Sequence, residues 1–113
     1  MYRLFIGTNA FNCKQVGCID DYEGSIYQGQ SCLDGKLVGK VELPYVFSIN
    51  GRSKEKNGRY SQGNVYRLID GRETLVGSYD GEYVYKGSGW NRQQIGRYEG
   101  SAAGAAALLL LFE

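Results

Sequence analysis

Gly63-Asn-Val-Tyr-Arg-Leu-Ile-Asp-Gly-Arg-Glu-Thr-Leu-Val-Gly-Ser-Tyr-Asp-Gly81 runs directly into Gly81-Glu-Tyr-Val-Tyr-Lys-Gly-Ser-Gly-Trp-Asn-Arg-Gln-Gln-Ile-Gly-Arg-Tyr-Glu-Gly100, and these two stretches decide the fold. Each holds two short runs of β-branched and aromatic residues bounded by Gly and Asp, the mark of a β-hairpin. Asp70-Gly71 stands at a hairpin tip, as Asp34-Gly35 does in an earlier copy, where a tight turn needs positive φ. Asp80-Gly81 and Glu99-Gly100 close units, so turns also separate one hairpin from the next.

Working outward, the same unit recurs along the chain. Gly17, Gly39, Gly58, Gly77 and Gly96 follow one another at spacings of 22, 19, 19 and 19 residues. Val16, Val38, Val76 and Ile95 precede four of them, and Asn57 is the exception. An aromatic residue lies about ten to twelve positions upstream of each: Phe5, Tyr27, Phe47, Tyr66 and Tyr85. A fixed period this short is a supersecondary unit copied five times, each copy burying its face on its neighbours. If each hairpin folds about its tip, Tyr85 is expected opposite Gly96 and Tyr66 opposite Gly77, the ring covering the glycine. Glycine within a strand also lets the sheet bend, so five hairpins are expected to curl into a ring or closed barrel without free edges.

The composition agrees. With 113 residues the chain makes one domain, and 17 Gly, 10 Tyr and a single Pro favour β structure with many turns. Thirteen basic residues nearly balance twelve acidic ones, and no field arises to steer nucleic acid or an anionic membrane, which argues against both as partners. The absence of histidine removes the commonest general base and metal ligand. Three cysteines, Cys13, Cys18 and Cys32, with no apolar leader ahead of them, read as reduced thiols in a cytoplasmic protein; the alternative is a Cys13–Cys18 bond across a hairpin. No cofactor or metal set is indicated.

After Gly100 the composition changes to Ser101-Ala-Ala-Gly-Ala-Ala-Ala-Leu-Leu-Leu-Leu-Phe112-Glu113. Ala and Leu predict a helix over 102–112, with Ser101 as its N-cap. Having no polar face, it must be buried nearly all round. At roughly 16 Å it is too short for a bilayer core of about 30 Å. Leu108, Leu109, Leu110, Leu111 and Phe112 are therefore expected to plug the ring of hairpins or close one end; the alternatives are a shared core between subunits and, third, a membrane-surface anchor.

The chemistry is sparse. Asp20, Asp21 and Glu23 cluster between hairpins, but acidic residues recur with the turns, as turn chemistry alone requires. The segment Arg52-Ser-Lys-Glu-Lys-Asn-Gly-Arg59 concentrates positive charge and reads as a solvated hairpin tip. Tyr22, Tyr79 and Tyr98, each followed by an acidic residue and Gly, together with Trp90, form a candidate ligand or partner surface able to stack on flat groups. The alternative is that these tyrosines pack on one another between hairpins.

Ile26-Tyr27-Gln28-Gly29, Val84-Tyr85-Lys86-Gly87 and Ile95-Gly96-Arg97-Tyr98-Glu99-Gly100 resemble the units of small bacterial tandem β-hairpin proteins, described as β-flower-like, and are loosely similar to MORN repeats. The resemblance covers 4–100 and implies the fold without catalytic residues to carry over; the Gly-x-Gly centre of MORN repeats is missing. The expectation is one all-β domain of five hairpin units, 2–21, 22–43, 44–62, 63–80 and 81–100, about ten antiparallel strands in all, with an apolar helix packed into or across the ring. Its expected role is that of a non-enzymatic scaffold or protein-interaction domain, partnering itself or another protein. A carbohydrate or small-ligand binding module is the alternative, and a peripheral membrane protein the third reading.

Overall fold

The computed structural model describes residues 1–8, 13–20, 22–87 and 91–112. Ten strands follow in order: β1 (Tyr2–Ile6), β2 (Lys14–Ile19), β3 (Ser25–Gln28), β4 (Lys36–Glu42), β5 (Tyr45–Asn50), β6 (Ser53–Ser61), β7 (Asn64–Ile69), β8 (Arg72–Asp80), β9 (Tyr83–Lys86) and β10 (Gln93–Tyr98). Each pairs antiparallel with its neighbours in the sequence, and β1 pairs with β10, so the meander closes into a barrel. Arg3 fastens that closure: its backbone N–H and its guanidinium Nε and Nη2 donate to the Glu99 carboxylate at 2.8–3.0 Å. The guanidinium's hydrogen bonds hold the Glu99 carboxyl below its usual range.

The repeat has a geometric cause. In every hairpin the register slips by one residue beside the repeat glycine, at Val16, Val38, Asn57, Val76 and Ile95. A β-bulge sets two residues against one, so consecutive side chains turn to the same face. Thus Val16, Val38, Val76 and Ile95 lie against the core beside their glycines. The bulge corrects the expected pairing: Val84, not Tyr85, stands opposite Gly96, and Val65, not Tyr66, opposite Gly77. The inward partners are Leu4, Ile26, Val46, Val65 and Val84, all completely buried. Phe5, Phe47, Tyr66 and Tyr85 instead carry cations over their rings: Arg97 over Phe5, Lys54 over Phe47, Arg59 over Tyr66 and Arg92 over Tyr85, at 4.1–4.7 Å.

The repeat glycines are required by close approach, on two sides at Gly17, Gly39, Gly58 and Gly77 and by backbone alone at Gly96. A Cβ on Gly77 would overlap the carbonyl oxygen of Tyr85 in the next hairpin and stand 2.7 Å from Leu109 Cδ1. The other four meet the equivalent carbonyl, of Tyr27, Phe47, Tyr66 or Phe5.

The core is the C-terminal segment, which enters the barrel as the expected plug. Its first half, α1 (Ala103–Ala107), is a short α-helix, and Leu108–Phe112 continue as a π-helical turn. Ser101 is not the N-cap; Ala102 takes that position with no side-chain cap. The π-helical turn matches the barrel. Phe112 faces Gly17, Leu111 faces Gly39, Leu110 faces Gly58 and Leu109 faces Gly77, one residue to each successive hairpin. Fivefold repetition asks for a step of about 72° per residue, tighter than the roughly 100° of an α-helix, and winding with wider turns approaches it.

The carbonyls at the end of such a helix need donors. Arg67 Nη2 donates to Leu109 O at 2.6 Å and Nη1 to Leu110 O at 3.4 Å, while Asn57 Nδ2 reaches Leu110 O at 3.5 Å. Asn57 therefore departs from the aliphatic pattern because its side chain reaches the plug's polar end. Replacing Arg67 with Met is expected to cost about 1–3 kcal/mol, the penalty of stranding partly buried carbonyls, measured by urea unfolding. An unchanged midpoint would mean that water replaces the guanidinium.

Two cysteines are joined, which corrects the expectation of three thiols. Cys18 on β2 bonds to Cys32 with Cα atoms 5.6 Å apart, and Cys13 is not its partner. Cys18 pairs in register with Tyr27 of β3, and the loop after β3 folds back to reach it. The bond withdraws the thiol argument for a cytoplasmic location. Among the described residues, no helix is long and apolar enough to cross a membrane.

Candidate functional site

Two residues beyond each repeat glycine the strands reach the end of the barrel where α1 enters. Hairpins three, four and five place Tyr60, Tyr79 and Tyr98 there, and hairpins one and two place Ile19 and Val41. Tyr60 and Tyr79 meet edge to face with centroids 6.4 Å apart, and Tyr79 and Tyr98 repeat the contact at 6.3 Å. Burial, with the nearby Tyr79 and Asp80 adding to it, pushes the Tyr98 phenol up. The tyrosines form an arc around the thin, alanine-built start of the plug.

The arc stops at Tyr60. Where two further rings would continue it, the shorter Val41 and Ile19 leave a hollow of about 270 Å³. Ile19, Val41, Tyr60 and Ala103 line it from the barrel side, and Tyr22, Glu23 and Leu43 line it from the turns. The turn after β2 is built by Asp20, whose Oδ1 accepts from the Tyr22 N–H at 3.0 Å and the Glu23 N–H at 3.4 Å. Gly24 N–H closes it onto Asp20 O at 2.6 Å, and Val41 N–H donates to Gly24 O at 2.7 Å. This brings Tyr22 and Glu23 to the mouth on a turn tied to β4. Tyr22 is 96% exposed and Leu43 79% exposed, an apolar lip that contributes nothing to the core.

Of the residues singled out from the sequence, Tyr22 lies at this mouth, while Tyr79 and Tyr98 stack in the arc beside it. Trp90 lies outside the described residues. Leu108, Leu109 and Leu110 are buried in the chain's own barrel, with Leu111 and Phe112 packed against them. Sequence reasoning missed Tyr60, Val41 and Ile19, although their offset of two from each repeat glycine was there to be compared.

Three cations of the outer basic segment, Lys54, Lys56 and Arg59, are engaged with neighbours. Lys54 bonds Glu42 at 2.9 Å and lies over Phe47, Lys56 lies over Tyr45, and Arg59 pairs with Glu73 while covering Tyr66. Among the described residues, no cluster of three or more His, Cys, Asp or Glu is placed to hold a metal ion. Comparison of the chain with protein-family models, curated proteins and solved structures returns no match, so the geometry of the notch carries the functional reading by itself.

Proposed function

We propose that the protein is a small non-catalytic binding module whose ligand enters the notch beside Tyr60. The observation that carries this reading is the interrupted arc: one position of the repeat is filled by tyrosine three times and by the shorter Val41 and Ile19 twice, and the hollow lies over those two. Binding sites are concave, with apolar walls and a few convergent polar groups, and a hollow of about 270 Å³ walled by Ile19, Val41, Tyr60 and Ala103, with Ser101 and Glu23 as its polar side chains, is a place for an occupant. A scaffold role through the leucine run has less support, because that run fills the chain's own barrel. The absence of catalysis fits a chain without histidine and a notch in which Glu23 is the one carboxylate among the described lining residues.

The test is methyl NMR on protein labelled at Ile, Leu and Val, titrated with a panel of single-ring and short aliphatic compounds. Binding is expected to shift Ile19, Val41 and Leu43 together while Val65 and Val84, deep in the barrel, stay put. A panel that leaves all three methyls unmoved at millimolar concentration overturns the reading.

A further inference from the structure

We infer that the notch selects a free small molecule made of one aromatic ring on a short cationic tether, an arylalkylamine. This deepens the binding reading above and rests on it. The protein itself supplies the template for the ring. Tyr98, Tyr79 and Tyr60 repeat one edge-to-face contact at 6.3–6.4 Å, and the next place in the arc, above Val41, is empty. A ring seated there meets Tyr60 on the side away from Tyr79 and continues the arrangement. Below it lie Val41 and the start of the plug, where Ala103 offers a methyl group and Ser101 a hydroxyl.

Size narrows the class. An apolar cavity of about 150 Å³ holds benzene. The notch, at about 270 Å³, takes one ring and a two- or three-atom tether but not a fused polycycle or an oligosaccharide. Charge narrows it further. Among the described residues, Glu23 is the charged one lining the notch, and it shares the mouth with the exposed ring of Tyr22. An ammonium group leaving the notch passes between a carboxylate and an aromatic face, both of which favour a cation.

Three probes separate the claims: tyramine, 3-(4-hydroxyphenyl)propionate and 2-cyclohexylethylamine, each titrated by methyl NMR. Tyramine is expected to bind tightest, about two- to fivefold ahead of the propionate, the range of one exposed charge contact. It is expected to lead the cyclohexyl amine by about two- to tenfold, the range of one aromatic pair. Ring protons of tyramine should show intermolecular NOEs to Tyr60. Val41→Tyr, which installs the side chain that the repeat uses at Tyr60, Tyr79 and Tyr98, is expected to fold and to abolish binding. If that variant fails to fold, the NOEs and the probe ranking in the wild type decide alone. Equal binding of the cyclohexyl amine, or NOEs elsewhere, overturns the aromatic inference while the binding module stands. Equal binding of the propionate overturns the cationic tether. Silence of every probe at Ile19, Val41 and Leu43, with the wider panel also silent, removes the binding reading itself.

Discussion

A chain that ends at Gly100 is expected to lose the barrel entirely, with no β-sheet signal by circular dichroism and an expanded or aggregated elution profile. The reason is that the ten strands have no core of their own. Their inward residues at the glycine level are five aliphatics, Leu4, Ile26, Val46, Val65 and Val84, and five glycines, which together surround a space that only the plug fills. Leu108, Leu109 and Leu110, 0–3% exposed, are each worth about 2–5 kcal/mol by the cost of truncating a buried leucine. Three such losses, about 6–15 kcal/mol, are as large as the roughly 5–15 kcal/mol that holds a domain together. The strands also lose Ala105, Ala106 and Ala107, all fully buried. Light scattering on the same two chains gives the mass. A truncated chain that remains a folded monomer, by dichroism and by mass, would show that the hairpins close on their own and that the plug has another use.

What the sequence made legible was whatever repeats. Five glycines at near-constant spacing, turn residues at the tips and an apolar tail without a polar face lead to a closed ring of hairpins around a helix, and the barrel has that form. The errors come from single-residue offsets, which period counting does not resolve. One bulged residue per hairpin moves the pairing by one, so the aromatic rings that counting sets over the glycines carry cations instead. The same kind of offset hid half of the site. Tyr79-Asp80-Gly81 and Tyr98-Glu99-Gly100 lie two residues beyond their repeat glycines, whereas the matching Tyr22-Glu23-Gly24 lies five beyond Gly17. The motif is shared but the place is not: Ile19 takes the position in the arc, and Tyr22 is carried out to the lip. The Cys18–Cys32 bond was illegible for a different reason, since it depends on how the loop between β3 and β4 folds back over β2.

Four of the five repeat glycines have two neighbours, a carbonyl oxygen and a plug side chain, and a double-mutant cycle at Gly77 and Leu109 separates them. Gly77→Ala is expected to destabilise by about 1–3 kcal/mol, the usual cost of overpacking, and toward the upper end because one obstacle is backbone. Leu109→Ala is expected to cost about 2–5 kcal/mol as a cavity opens in the plug. The double variant removes one of the two collisions: the added methyl no longer meets Leu109 Cδ1, but it still meets the Tyr85 carbonyl oxygen. That oxygen belongs to the β8–β9 pairing, where Tyr85 stands opposite Ser78, and it moves only if the strands move. The losses are therefore expected to add to within about 1 kcal/mol, with a small favourable coupling from the relieved methyl–methyl contact. Unfolding by urea at low temperature, where the double variant still has a native baseline, provides the numbers. Full rescue of Gly77→Ala by Leu109→Ala would show that the plug alone demands the glycine. A Gly77→Ala chain as stable as the parent would show that neither neighbour does, and the bulge would then be left as the sole reason for the repeat.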